Sequence, residues 1–458
     1  MTTNEDRIKV LELKRETINK ISPSFCSAKW LQTSLYLQNG FNHSCHHPSA
    51  HKIPVEEVLA NPAALHNSKF KKQQRAKMLN GVRPKECDYC WKIEDLDKNY
   101  FSDRHYKTAD WWAWDRVDEV AKSSPADDVF PSYLEVSFSN ACNFACAYCS
   151  PDISSTWMED VEEHGNYPVE NGNHDLNYLK SVGKIPYKRS EENPYMDAWF
   201  KWMPDVMPHL KVFRVTGGEP TMSKDVWRTF DYIIENPQPH MQLAINTNLG
   251  THQKLIDKLI KYINLLEDKV EKIDVYTSVE STGGQAEYAR DGLQYDYWYS
   301  NVKRILGETN SLVAIMTTLN ILSLPTFNDF ITDIMELRIL FNKGLENNRV
   351  PISLNYLRWP PHLQATLLDI ETRKQYVDKI LPHGEQWLKY YSPDKYARLY
   401  LEEWDQLKRW CDYLVMEPTQ EKFRKDFVNY IKAYDVRRDK NFSTTFPEFA
   451  NLLEDWNV

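Results

Sequence analysis

The 458-residue chain has no uninterrupted apolar run near the roughly 20 residues that a membrane-spanning helix requires. Its opening residues, Met1 to Arg7, have neither the apolar core of a secretory signal nor the character of a transit peptide. A cytoplasmic location with no membrane partner is the resulting expectation. An excess of positive charge is also missing, since the formal net charge is −9. That balance argues against an extended nucleic-acid surface. The basic residues Lys69, Lys71, Lys72, Arg75 and Lys77 fall on a helix predicted between a Ser68 cap and Gly81, and they read as a solvated helix face. No internal repeat and no extended low-complexity segment is visible. Cysteine is scarce, at eight residues. In a reducing compartment, cysteines at motif spacings point to metal ligation or redox chemistry before disulfides.

What is present is an ordinary globular composition, 42% hydrophobic and 26% charged, long enough for about two to four domains. Residues 1–125 read as an irregular segment with short helices, closed by the linker-like cluster Ser123–Asp128. Residues 126–360 alternate β-type runs with helical stretches, the pattern of a parallel sheet with crossover helices. Strands are expected near Tyr133–Ser139, Lys211–Thr216, Met241–Thr247, Lys272–Val279, Leu312–Leu319 and Ile352–Tyr356, which makes the fold α/β, with a partial (β/α)6 barrel. A long connection, roughly Glu163 to Met203, reads as a lid, a substrate-contacting insertion or a flexible loop. Residues 361–458 are expected to be helical. They carry the stripes Tyr400, Trp404, Leu407, Cys411, Leu414 and Phe423, Phe427, Tyr430, Tyr434, both read as packing faces. Cys411 is therefore expected to be a buried small hydrophobe.

Chemistry concentrates at strand ends. Cys142, Cys146 and Cys149 form a CxxxCxxC spacing after the first barrel strand. This pattern should arise by chance only about 0.002 times in such a chain. Three thiolates can hold three irons of a [4Fe-4S] cluster and leave the fourth iron open. About 70 residues downstream, the next strand ends in Gly217-Gly218-Glu219-Pro220. Glycines there let the backbone approach a ligand at the carboxyl end of a parallel strand; by itself the tetrapeptide reads as a turn. Ile245–Gly250 ends the third strand, and Ser278-Val279-Glu280 ends the fourth, with Arg290 after it. A guanidinium suits a carboxylate, and a surface salt bridge would equally use Arg290. A second cysteine set lies upstream, comprising Cys26, Cys45, Cys87 and Cys90. Four thiolates complete either an iron–sulfur cluster or a structural zinc site, without help from His43, His46 or His47.

The three central cysteines, with aromatic Tyr148 before the last, resemble the signature of the radical S-adenosylmethionine (SAM) superfamily, over roughly residues 130–360. The resemblance implies a partial TIM-type barrel whose [4Fe-4S] cluster reductively cleaves SAM to a 5′-deoxyadenosyl radical, which abstracts hydrogen from a substrate. It further implies that Gly217, Gly218 and Glu219 meet the methionine amine and that Asn246 and Asn248 lie near the SAM ribose. Ser278 and Arg290 would meet the ribose and carboxylate, and the strand Leu312–Leu319 the adenine. Leu249 interrupts the Thr-Asn-Gly pattern of relatives, and Glu280 stands where many have Asp.

Cys26, Gly40 and Cys45, with Cys87 and Cys90, resemble the CX₉₋₁₅GX₄C element and partner CxxC of SPASM and twitch domains, which bind auxiliary [4Fe-4S] clusters. In relatives this element usually follows the barrel; here it precedes it, and the resemblance implies a position against the barrel mouth. The function so implied is hydrogen abstraction from a peptide or protein, with the auxiliary cluster assisting electron transfer and a flavodoxin or ferredoxin as reductant. Modification of a sugar or nucleoside, and a non-catalytic iron–sulfur or zinc protein, are the alternatives.

Overall fold

The structure is a computed structural model that describes residues 4–97, 99–170, 175–188, 190–345, 347–389 and 397–457. In chain order its strands are β1 Gln32–Tyr36, β2 Phe41–His43, β3 His51–Lys52, β4 Tyr133–Ser137, β5 Ala145–Cys146, β6 Val212–Thr216, β7 Gln238–Asn246, β8 Val270–Ser278, β9 Arg290–Asp291, β10 Val313–Leu319 and β11 Ile352–Tyr356. The six strands expected from the sequence are β4, β6, β7, β8, β10 and β11, adjacent and mutually parallel.

Alternation explains how this sheet faces its surroundings. Leu134, Val136, Phe213, Val215, Leu243, Ile245 and Val275 point to one face and are fully buried. They lie under crossover helices such as Lys224–Glu235 and Tyr295–Glu308, whose buried stripes include Val226, Phe230, Ile233 and Trp298. Each such side chain contributes about 1.5–3 kcal/mol by leaving water. The opposite face carries Glu135, Arg214, Asn246 and Tyr276, all half-buried. A parallel sheet covered on both faces would be apolar on both, so this polar face lines an interior that admits water.

The N-terminal segment extends this sheet, which its composition did not suggest. β1 pairs in parallel with β4, from Gln32 opposite Tyr133 to Tyr36 opposite Ser137, and β2 returns antiparallel to β1. At the other edge, Glu403 and Gln406 of the helix Leu401–Met416 accept from the backbone N–H groups of Ile352 (3.0 Å) and Leu354 (2.7 Å). The helical extension thus caps an open edge of the sheet. Cys411 is buried on this helix, as expected.

The long connection contains the helices Leu176–Ser181 and Pro194–Val206; its residues 171–174 and 189 lie outside the described residues. It docks on the β1–β2 hairpin and on Ile53 just after β3, whose carbonyl accepts from Tyr195 at 2.6 Å. Gly40 turns that hairpin at φ +70°, and a Cβ there would overlap the Tyr195 ring at 2.0 Å.

The helix Lys69–Leu79 forms with its Ser68 cap, and its basic residues divide: Lys69 and Lys77 are exposed and Lys72 half-buried, as a solvated face requires, but two others turn inward. Lys71 and Arg75 are buried. Lys71 Nζ donates to the Gln32 carbonyl (3.0 Å), and Arg75 Nε donates to the Lys29 carbonyl (3.1 Å). The run of cations reflects these internal carbonyl partners, which composition does not reveal.

Candidate active site

The CxxxCxxC loop leaves β4 at the carboxyl edge of the sheet, where parallel sheets bind ligands. Its carbonyls are held from outside. Ser154 Oγ donates to Phe144 O (2.8 Å), Thr156 Oγ1 to Cys142 O (2.6 Å) and Trp157 Nε1 to Cys146 O (2.8 Å). Tyr430 and Tyr434 of the helix Arg424–Arg438 donate to Ala147 O (2.6 Å) and Ala145 O (3.3 Å). The stripe expected only to pack therefore also fixes the cysteine loop. Burial pushes the Cys142 thiol up to about 12 and raises Cys146 and Cys149; neighbouring sulfurs add to the shift at Cys142 and Cys149, while Arg290 opposes it at Cys146. Three clustered thiols of this kind ionise readily only on a metal, so the donor set fits an iron–sulfur cluster.

The Gly-Gly-Glu turn packs against this loop. A Cβ on Gly218 would lie 2.5 Å from Ala141 O, and one on Gly217, at φ +136°, would lie 2.8 Å from Ser139 O. Glu219 N donates to Ala141 O at 2.7 Å. The Glu219 carboxylate is 1% exposed and accepts from Thr221 Oγ1 (2.6 Å), Thr221 N (3.0 Å), Thr247 Oγ1 (2.9 Å) and Asn248 N (2.7 Å). It joins the ends of β6 and β7. Burial raises its pKa, and these donors oppose the shift.

Asn248 bridges in the same way, its Nδ2 donating to Asn143 Oδ1 at 2.9 Å. Leu249, which interrupts the Thr-Asn-Gly pattern, takes φ +49°, the left-handed conformation that glycine adopts freely. Its complete burial and the Asn301 Nδ2 hydrogen bond to its carbonyl (2.8 Å) hold it there. Asn246 faces the interior and accepts from Arg214 Nε at 2.9 Å. Ser278 lies further along that face, opposite Met316 of β10.

Arg290 forms neither a surface salt bridge nor an open fork. It is buried, in β9, opposite Cys146 of β5. Its Nη2 and Nε donate to Glu280 Oε2 at 2.6 and 3.2 Å, and Tyr148 donates to Glu280 Oε1 at 2.8 Å. Its Nη1 stands 3.8 Å from Cys146 Sγ. Burial is the largest influence and works against the guanidinium charge, but Glu280, Tyr148 and Cys146 together outweigh it and raise the pKa.

Cys26, Cys45, Cys87 and Cys90 line one cavity with Lys29 and Arg104. Cys26 precedes the short helix leading into β1, Cys45 follows β2, and Cys87 and Cys90 flank the start of the helix Asp88–Leu96. Tyr133 and Val212, the first residues of β4 and β6, pack on the same cluster as Cys26, Cys87 and Cys90. The cavity therefore lies at the end where the strands begin, opposite the CxxxCxxC loop and not at its mouth. Strand register decides this, because β2 runs back toward the start of β1. Burial raises Cys26 and pushes Cys45 to about 11 and Cys87 and Cys90 to about 12. Lys29 is ion-paired with Glu86. Burial opposes its charge, while Cys87, Glu86 and Cys45 together raise its pKa. The four thiols share one cavity with the buried cation Lys29, which favours negative charge on the sulfurs. His47 also lines the cavity but is hydrogen-bonded to Asp103.

Sequence reasoning missed Asn143, Thr221, Glu135, Arg214, Tyr430 and Tyr434. Asn143 sits inside the cysteine motif and was accessible in principle. The others carry no local signal.

A parallel α/β sheet with a cysteine-bearing loop at its carboxyl edge and a glycine-rich turn packed on that loop defines a SAM-type iron–sulfur fold. Residues 136–337 match the family model described as the radical SAM superfamily, and this stretch is a radical SAM domain. Over 143 residues the chain is 29% identical to a GTP 3',8-cyclase of Sulfurovum sp. (strain NBC37-1), covering 30% of this chain and 34% of that protein. Over 140 residues it is 27% identical to the GTP 3',8-cyclase of Sulfurimonas denitrificans (strain ATCC 33889 / DSM 1251), covering 30% and 34%. The chain spans about a third of the length of these curated relatives. Among solved structures, Streptococcus suis SuiB bound to the precursor peptide SuiA aligns at a TM-score of 0.35 with 13% identity, over 78% of this chain and 69% of that one. SuiB bound to S-adenosylmethionine aligns equally, at 0.35 and 13% over 78% and 69%.

Proposed function

We propose that the protein is a radical SAM enzyme of the SPASM/twitch kind, acting on a peptide or protein substrate. The observation that carries this reading is the match of residues 136–337, together with the convergence of Cys142, Cys146, Cys149, the Gly-Gly-Glu turn and Arg290 at one end of the sheet. A [4Fe-4S] cluster held by Cys142, Cys146 and Cys149 would supply the electron for reductive cleavage of SAM.

The chain's own residues bind and orient. Gly217 and Gly218 bring backbone close to the cysteine loop and so to the methionine end of SAM. Glu280, itself held by Tyr148, positions the Arg290 guanidinium beside Cys146, and the family resemblance assigns this arginine to the methionine carboxylate. Ser278, Asn246 and Asn248 are assigned to the ribose side. Tyr430, Tyr434 and Trp157 keep the loop rigid and screen it from water. Cys26, Cys45, Cys87 and Cys90 are assigned to an auxiliary [4Fe-4S] cluster that takes or relays an electron at the far end of the interior. The resemblance to SPASM and twitch elements favours a cluster there over a single zinc ion, which four cysteines could equally hold. A flavodoxin or ferredoxin is the expected reductant. The peptide assignment rests on the resemblance to SPASM and twitch enzymes.

Anaerobic reconstitution, followed by dithionite and SAM, tests the reading. The expected product is 5′-deoxyadenosine; its absence from iron-loaded protein refutes the assignment.

A further inference from the structure

The inner face of the sheet presents ionic chemistry that no step so far has used. Arg214 of β6 stands two residues before the end of its strand, opposite Glu135 of β4. The same strand begins at Val212, on the N-terminal cysteine cluster, and leads at its other end into Gly217. Arg214 therefore lies between the two cysteine sets.

Its guanidinium is held rigidly. Nε donates to Asn246 Oδ1 at 2.9 Å, and the group lies over the Tyr276 ring at 4.1 Å. Tyr133 stands against it. Glu135 Oε2 is 3.8 Å from Nε, too far for a hydrogen bond, and both side chains keep 16–18% of their surface open to water. An ion pair, an amide and aromatic hydroxyls on a sheet face are less stabilising than apolar packing of equal volume. A fixed, partly exposed guanidinium matches a planar or tetrahedral oxyanion.

We propose that Arg214 is the anchor for an oxyanion of the substrate, a carboxylate or phosphate group, within the interior between the two cysteine sets. Tyr133 supplies a neighbouring polar contact, and Glu135 offsets the charge when no substrate is bound. This rests on the radical SAM reading only for where the chemistry occurs.

The test uses full-length protein reconstituted with iron and sulfide, titrated calorimetrically with sodium pyrophosphate and separately with succinate. At least one anion is expected to bind, and to weaken at least about tenfold in Arg214→Gln with partial recovery in Arg214→Lys. Binding of pyrophosphate alone identifies a phosphate group, and of succinate alone a carboxylate. Glu135→Gln is expected to tighten the same anion, a gain that a folding defect would not produce. Binding of neither anion, or equal binding by wild type and Arg214→Gln at matched iron content, overturns the proposal. Formation of 5′-deoxyadenosine by the wild type judges the radical SAM reading separately, so either can fail alone.

Discussion

Arg290 and Cys146 face each other across the two-residue β5–β9 ladder, and the guanidinium reaches 3.8 Å from the cysteine sulfur. The middle cysteine of the motif is thus tied to a residue 144 positions away, while Glu280 and Tyr148 hold the arginine in place. A buried cation at a thiolate stabilises its ionised form, and a buried carboxylate stabilises the cation.

Breaking that relay is expected to be costly. Glu280→Gln leaves a buried guanidinium without its counter-charge and should lower unfolding stability by about 3–5 kcal/mol. Replacing both partners, as in Glu280→Leu with Arg290→Met, should cost less than the sum of the single changes. Urea denaturation of the four proteins measures the coupling.

The two cysteine sets should separate in function. Replacing Cys142, Cys146 and Cys149 with Ala should abolish SAM cleavage, whereas Cys87→Ala with Cys90→Ala should remove about half the iron and leave cleavage measurable. Iron and zinc analysis beside 5′-deoxyadenosine quantification checks both. Zinc replacing half the expected iron in the intact protein would refute the auxiliary cluster.

Tyr430→Phe removes only a hydroxyl, yet it leaves the buried Ala147 carbonyl without its 2.6 Å donor. A stability loss of about 1–3 kcal/mol is expected, with faster iron loss from the CxxxCxxC site on exposure to a chelator. Absorbance decay against time reads the second effect.

Gly218→Ala drives a Cβ to 2.5 Å from Ala141 O and 2.7 Å from Asn140 O. Both are backbone atoms of the cysteine loop and cannot rotate away. SAM binding should fall by at least about tenfold, as a strained site costs 1–3 kcal/mol or more. Equilibrium dialysis of iron-loaded protein checks it.

Acid should weaken the N-terminal region first. Burial lowers His51 to about 3 and His105 to about 4, and holds His66 well below its ordinary value. The unfolded chain takes up these protons near pH 6.5, while the folded one resists until much lower pH. The stability these neutral histidines contribute is complete above about pH 6.5. It is lost as pH falls toward 4, by about 1.4 kcal/mol per pH unit for each histidine. Hydrogen exchange at pH 7 and pH 5 should show this region opening before the barrel strands.

The sequence by itself determined whatever is local in the chain. The six barrel strands follow from alternation, and the Ser68-capped helix and the helical stripes follow from spacing. The cysteine motifs follow from residue type, because ligands that share one metal group can sit a few residues apart. Only the tertiary structure decided the remainder. The pairing of β1 with β4, the seat of the second cysteine set at the opposite end, and the burial of Lys71 and Arg75 all depend on which strands lie side by side. So do the grip of Tyr430 and Tyr434 on the cysteine loop and the meeting of Arg214 with Glu135. A hydrogen bond between residues more than a hundred positions apart is set by sheet register and by helices packed across it, and residue spacing carries no record of either.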